Sequence, residues 1–398
     1  MKKSRKIVSL LVVVVMTIIS VGALGSCKFK EEQASFFPTV TIAQANGDVG
    51  YTPVIDGNPN DVELPLLSGD IYTVSKNYEK CVTENYNLNY TDCFAPTPLV
   101  ISWTSSEEPL YYTFDIATNK DMKNAESYVV NTNSITLEYL FMGYKYYYKI
   151  SAKFQDKLIK SRIFSFSTEY LPRTVFFDEN VSNTRDWGGY TTVDGKRIKQ
   201  GIVYRGGELE NITENGKRRM LVDFGIKTDL DVRGDGAVAK TESPLGNSVN
   251  YIEIKGPYYV GRYGSGIDLE GVYREGLVKA IKTFADADKF PIYVHCSLGR
   301  DRTGTLCFLI QALLGVSEND IFRDYELSSM ARTGKDPNNP NSQPSYMVRF
   351  PFQTLYDYVK NFQEGKTLSE NAEAFMKSIG ISNAEIKSIK NNMLEKAG

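Results

Sequence analysis

The chain has 398 residues, more than one ordinary domain holds, so two or three domains are expected. Apolar residues make up 42% and charged residues 24%, the balance of a protein with a packed core and not of a disordered, collagen-like or multi-span membrane chain. The formal net charge of -2 gives no electrostatic reason for nucleic-acid binding, so any anion site must be local. Histidine occurs once, at His295. A His-rich zinc site is thereby excluded, and a Ser-His-Asp hydrolase could draw only on that residue.

In chain order, Lys2, Lys3, Arg5 and Lys6 precede an apolar run from Ile7 to Ala23, and Leu24-Gly25-Ser26-Cys27 follows. This is the layout of an export signal. The run falls short of the roughly 20 residues of a spanning helix. Its last four residues resemble a bacterial lipobox, which implies cleavage before Cys27 and lipidation of that thiol. The expectation is a signal peptide over 1–26 and a tether over 27–50, opening with the charged Lys28-Phe29-Lys30-Glu31-Glu32-Gln33. The protein would be exported and lipid-anchored to a bacterial membrane, at the outer membrane or cell surface. In an oxidising compartment Cys81 and Cys93 are a candidate disulfide, with two free thiols as the alternative.

Residues 51–168 read as an all-β sandwich. Strand candidates are Leu99 to Trp103, Leu110 to Ile116, Ser127 to Val130, Ser134 to Leu137, Tyr146 to Phe154 and Arg162 to Ser167, separated by turn residues such as Asn119-Lys120-Asp121. The segment from about 96 to 168 resembles a fibronectin type III domain. The resemblance implies a core Trp at Trp103 and a tyrosine corner at Tyr146. The many tyrosines leave two readings of this domain, a carbohydrate-binding surface or a rigid spacer.

Pro172 marks a linker, and residues 174–398 form a second domain. Strand-like runs at Ile202 to Tyr204, Lys227 to Val232, Asn250 to Lys255 and Pro291 to His295 alternate with helical periodicity at Glu270 to Ala287, Thr303 to Leu314, Val316 to Met330, Phe352 to Gln363 and Ser369 to Lys377. Such alternation predicts an α/β domain with a central, largely parallel or mixed sheet flanked by helices.

Between a strand and a helix of this domain lies His295-Cys296-Ser297-Leu298-Gly299-Arg300-Asp301-Arg302-Thr303-Gly304. A thiol at a strand-to-helix turn faces backbone N–H groups and a helix N-terminus, which favour the thiolate. The same N–H groups, from Ser297, Leu298, Gly299 and Arg300, can cradle phosphate oxygens. Gly299 permits the tight curl. Arg302 can bind two phosphoryl oxygens and grip them best as charge spreads in the transition state. The Thr303 hydroxyl can donate to the sulfur when it leaves. His295 is expected to position the loop and not to act as a base. Cys307, within an apolar run, reads as a buried structural thiol.

The loop resembles that of the Cys-x5-Arg protein tyrosine phosphatase superfamily, and within it the bacterial tyrosine and phosphoinositide phosphatases with an HCxxGKDRTG loop. Asn183-Thr184-Arg185-Asp186-Trp187-Gly188-Gly189-Tyr190, the run Gly201 to Leu209, Asp231-Val232-Arg233 and Asp324-Tyr325-Glu326-Leu327-Ser328 resemble further segments of that family. Trp187 stands where the family has Leu, Gly206 where it has Ser, and Arg300 where it has Lys. A second loop cation at Arg300 suits polyanionic substrates. The resemblance implies a phosphatase that cleaves phosphomonoesters of proteins or phosphoinositides through a phosphocysteine at Cys296. The alternatives are an inositol polyphosphate (phytase-like) phosphatase and a surface module that binds phosphorylated or glycan ligands with weak catalysis. Asp301 is the first candidate for the general acid, Asp231 the second and Asp268 the third; the competing reading of Asp301 is an ion pair that holds Arg205 or Arg233. No metal or organic cofactor is expected, since the covalent intermediate takes over the metal's role.

Overall fold

The structure is a computed structural model that describes residues 31–33, 39–42, 61–64, 98–105, 107–168, 173–234, 242–255, 271–328 and 349–396. The export signal, Cys27, Cys81, Cys93 and Asp268 lie outside the described residues. The described residues fall into two compact units, 31–168 and 173–396.

The first unit is built of β1 (Glu31–Gln33), β2 (Thr39–Ile42), β3 (Asp61–Leu64), β4 (Leu99–Ser102), β5 (Tyr111–Ala117), β6 (Glu126–Val130), β7 (Ser134–Leu137), β8 (Lys145–Lys153), β9 (Leu158–Lys160) and β10 (Phe164–Thr168). β2, β4 and β7 pair as one sheet, and the other seven strands form a second around β8. Period-2 burial along β8 turns Tyr146, Tyr148, Ile150 and Ala152 inward. Of these, Tyr146 and Tyr148 join Trp103, Phe114, Phe164 and Phe166 in ring contacts with centroids 5.2–6.3 Å apart. The Tyr146 hydroxyl accepts from the Phe141 N–H at 2.7 Å, the upstream bond of a tyrosine corner. Tyr112, Tyr146 and Tyr148 are thus core residues. Two short strands, β1 and β2, fall inside the stretch expected to be a tether; β1 pairs with β9 and β2 with β4.

The second unit has a five-stranded sheet in the order β11 (Arg185–Asp186), β13 (Val203–Gly206), β16 (Ile292–His295), β14 (Thr228–Asp231) and β15 (Asn250–Glu253). The last four are mutually parallel and β11 is antiparallel, so the sheet is mixed. Every residue of β13, β14 and β16 is buried, as in a sheet covered on both faces. β12 (Lys196–Ile198) and β17 (Leu394–Lys396) pair separately. The helices are α1 (Glu214–Arg218), α2 (Val272–Thr283), α3 (Asp301–Leu314), α4 (Glu318–Leu327), α5 (Arg349–Lys360), α6 (Leu368–Ser378) and α7 (Asn383–Met393).

α3 is buried on all sides from Arg302 to Leu314. Each of Leu306, Phe308, Leu309, Ile310 and Leu313 contributes roughly 1.5–3 kcal/mol by leaving water. That apolar anchorage fixes the helix whose first turn meets the Cys296 loop. The expected helix over Glu270 to Ala287 is shorter in the structure because Phe284 caps it. α7 lies beyond the helices that periodicity predicts, although Ser382 and Glu385 form the reciprocal capping box that announces it.

Candidate active site

β16 delivers His295 and Cys296 at the carboxyl end of the sheet, where ligand sites of parallel α/β sheets lie. The chain curls through residues 296–300 and enters α3 at Asp301. Gly299 makes the curl with φ +65°, and a Cβ there would lie 2.2 Å from the Gly206 carbonyl oxygen. Gly206 is constrained in turn, since its Cβ would lie 2.3 Å from the Tyr293 hydroxyl oxygen. That hydroxyl donates to the Gly207 carbonyl at 2.7 Å. The space a serine would need at 206 is therefore taken by Tyr293. Trp187 is wholly buried edge-on to Phe284 at 5.9 Å and serves packing.

Burial alone would push the Cys296 thiol up. The Thr303 hydroxyl and N–H, the Arg302 charge and the Leu298 N–H outweigh it and hold the thiol below its ordinary 9.0. Thr303 Oγ1 is fully buried with no other partner among the described residues, which leaves its O–H to the sulfur. Cys307 is also a free, buried thiol, but burial pushes it up to about 12, as befits a packing residue.

His295 lies behind the nucleophile. Its Nδ1 is 3.3 Å from the Cys296 carbonyl oxygen. Its Nε2 stands 2.9 Å from Asp229 Oδ1, a contact of charges and not an aligned hydrogen bond. Ser243 donates to the other Asp229 oxygen at 2.6 Å. Burial would lower the imidazole; the Asp229 and Asp231 carboxylates raise it above its ordinary 6.5.

Four side chains hold the loop from beneath. Asn183 donates to the Leu298 carbonyl at 2.9 Å, and Arg205 to the Gly299 carbonyl at 2.8 Å. Asp324 on α4 accepts from Arg205 at 2.6 Å and from Arg185 at 2.8 Å. Arg185 in turn donates to Asn183 Oδ1 at 2.6 Å. Burial would raise the Asp324 carboxyl, and the two guanidiniums hold it below the usual carboxylate range.

On the rim, Arg302 donates to the Arg233 carbonyl at 2.8 Å. Asp231 grips Arg233 through both oxygens at 2.9 and 2.6 Å and takes a third bond from the Tyr251 hydroxyl at 3.1 Å. Burial is its largest influence and raises it, yet Arg233 and His295 together bring the carboxyl down to about 2. Both Asp231 oxygens are thus engaged, which ties this second candidate for the general acid to the framework around Arg233. Asp301 holds neither Arg205 nor Arg233, which pair elsewhere; its carboxylate meets Arg300 at 2.9 Å, both side chains partly open to solvent. Leu298 turns its side chain outward.

The loop residues Cys296 to Thr303 are thus gathered at one point. The partnerships around them, Asp229 with His295, Asp324 with Arg185 and Arg205, and Glu208 and Glu210 with Arg233, were not foreseen. Each joins residues far apart in sequence; only the resembling segments around Arg185, Arg205 and Asp324 hinted at them. Among the described residues, no group of three or more His, Cys, Asp or Glu could hold a metal ion.

Comparison with known proteins gives the affiliation. A 169-residue stretch is 27% identical to a protein of Cupriavidus necator that bears a provisional tyrosine-protein phosphatase name, covering 37% of this chain; the chain spans 60% of that relative's length. Among solved structures, the core catalytic domain of the PP-IP phosphatase SIW14 from S. cerevisiae is similar at 17% identity and TM-score 0.26, over 42% of this chain and 89% of that one. A Fn3-like protein from Clostridium thermocellum is similar at 18% identity and TM-score 0.16, over 19% of this chain and 79% of that one. The profile described as the tyrosine phosphatase family matches residues 178–395, more than half of the sequence and nearly the whole second unit, and the chain belongs to that family.

Proposed function

We propose that the protein is a cysteine-dependent phosphatase that hydrolyses phosphomonoesters through a phosphocysteine at Cys296. The observation that carries this reading is the convergence of Thr303 and Arg302 on a buried thiol whose ionisation they favour. The thiolate attacks phosphorus in line; an S–P bond forms as the bond to the leaving oxygen breaks, and that oxygen takes a proton from Asp301. Water then attacks phosphorus and gives its proton back to Asp301. The S–P bond breaks, and phosphate and thiolate are restored. Arg302, already held at the rim, and the N–H groups of residues 297–300 take up the charge on the equatorial oxygens.

Asp301 is preferred as the acid because its carboxylate is partly open to solvent and paired with the partly open Arg300, whereas Asp231 is buried against Arg233. Asp301→Asn should lower kcat/KM for alkyl phosphates by about 10²-fold or more and much less for an activated aryl ester, since kcat/KM reports formation of the phosphocysteine and only a poor leaving group needs the proton there. Para-nitrophenyl phosphate hydrolysis by the full-length chain tests the activity itself; turnover that persists unchanged in Cys296→Ser would remove the assignment. The expected preference for polyanions through Arg300 loses force, because that guanidinium is paired with Asp301. The first unit is read as a fibronectin type III-like spacer on the strength of the Tyr146 corner. Export and lipidation at Cys27 complete the reading, and loss of fatty-acid labelling in Cys27→Ser tests them.

A further inference from the structure

The contacts on the Arg302 side of the loop close into a ring. The Glu208 N–H donates to the Ser297 carbonyl at 3.2 Å. The Glu208 carboxylate takes Arg233 at 2.9 Å. The Arg233 carbonyl takes Arg302 at 2.8 Å, and Arg302 reaches back to within 3.5 Å of the Ser297 hydroxyl. Glu208 is therefore a rim residue of the phosphate loop itself, and 43% of its side chain faces solvent.

Arg233 would otherwise be the outer cation of this site, suited to a second phosphate beside the one held by the loop. It is instead covered by three carboxylates: Asp231 at 2.6 Å, Glu208 at 2.9 Å and Glu210 at 2.5 Å. Asp231 is buried and belongs to the framework, whereas Glu208 and Glu210 lie partly open to solvent. Three carboxylates thus meet the one guanidinium of Arg233, and two of them, Glu208 and Glu210, lie partly open to solvent.

We infer that Glu208, supported by Glu210, is a specificity-determining residue that screens Arg233 and turns away ligands carrying phosphates beyond the one in the loop, so that the substrate class is a singly phosphorylated ester. The inference rests on the proposed phosphatase reading. Further charges of a polyanion on the Arg302 side of the loop would meet the Glu208 and Glu210 carboxylates, which already hold Arg233. Like charges a few ångströms apart at a half-exposed surface repel strongly enough to shift the choice between substrates about tenfold.

The test compares two probes, phenyl phosphate and inositol hexakisphosphate, on the full-length chain. The ratio of kcat/KM for the second over the first should rise about tenfold in Glu208→Gln and further in Glu208→Gln/Glu210→Gln, with the gain fading at high salt. Glu208→Asp, which keeps the charge, should leave the ratio near its starting value. A ratio unmoved by Glu208→Gln, or moved as far by Glu208→Asp, overturns the inference. Binding of the same two probes to Cys296→Ser gives the ratio without turnover. If the chain with Cys296 intact turns over neither probe while the binding ratio still shifts with Glu208→Gln, the charge screen stands and the phosphatase reading falls; brisk turnover with an unmoved ratio does the reverse.

Discussion

The two units bury different chemistry. In the first, the core is a run of aromatic rings from Trp103 to Phe166, and among the described residues its buried polar side chains are Ser151 and Thr168. The second buries Arg173, Arg185, Arg205, Asp186, Asp229, Asp231, Asp324 and His295. Removing charges from water costs several kcal/mol per ion, so hydrophobic packing is the cheaper way to hold a fold together. Apart from the Arg173–Asp186 pair, these charges lie around one loop, where they hold carbonyls and a thiol in positions that apolar groups could not. Leu298 and Gly299 are held by amide and guanidinium donors, Cys296 by a hydroxyl and N–H groups, and Arg302 by a carbonyl. Stability is gained by ring contact in one unit and given up for preorganisation in the other.

The comparison can be broken by substitutions that act on one side of it. The largest effect is expected from Asp324→Asn, which leaves Arg185 and Arg205 buried without their anion. It should cost about 3–5 kcal/mol in denaturant unfolding of the second unit and depress turnover as the loop loosens. Next comes Arg302→Lys, which keeps a charge but loses the two-pronged grip; kcat/KM should fall about 10²–10³-fold with the melting temperature little changed.

Asp231→Asn should cost about 2 kcal/mol at neutral pH, because a carboxyl held at about 2 against an unfolded 3.8 gains stability by folding as the anion. The folded value lies below the unfolded one, so this contribution is complete above pH 3.8 and is lost as pH falls through 2. Unfolding curves of the two proteins should therefore converge at low pH; a constant gap would mean that the Arg233 pairing is not its source. The smallest effect belongs to Tyr146→Phe, which strands the Phe141 N–H and should cost about 1–2 kcal/mol in the first unit alone. Turnover per folded molecule should stay as it was.

Much of this was legible in the chain. The loop from His295 to Gly304 shows its strand, its curl and its helix by residue type and spacing, and Tyr146 and Trp103 announce an aromatic sandwich core. Local signals of this kind are carried by neighbours in sequence. The pairings that tune the site are not, because Asp324 reaches Arg185 across 139 positions and Arg233 reaches Glu208 across 25. Such pairs depend on how strands and helices are laid side by side. The pairing of Arg300 with Asp301 was hidden for the opposite reason: adjacent residues can point together or apart, and spacing does not say which. β12 and β17 are three residues long and too short for periodicity to register.

The central claim is that Cys296 carries the phosphoryl group. The full-length protein should be mixed with a phosphotyrosine peptide, quenched in acid within the first turnover, and its proteolytic fragments weighed. The account predicts a phosphoryl adduct on the fragment holding Cys296, present in Asp301→Asn at higher occupancy, if loss of the base slows its breakdown more than its formation, and absent in Cys296→Ser. Turnover with no adduct on that fragment, or an adduct that persists in Cys296→Ser, would contradict it.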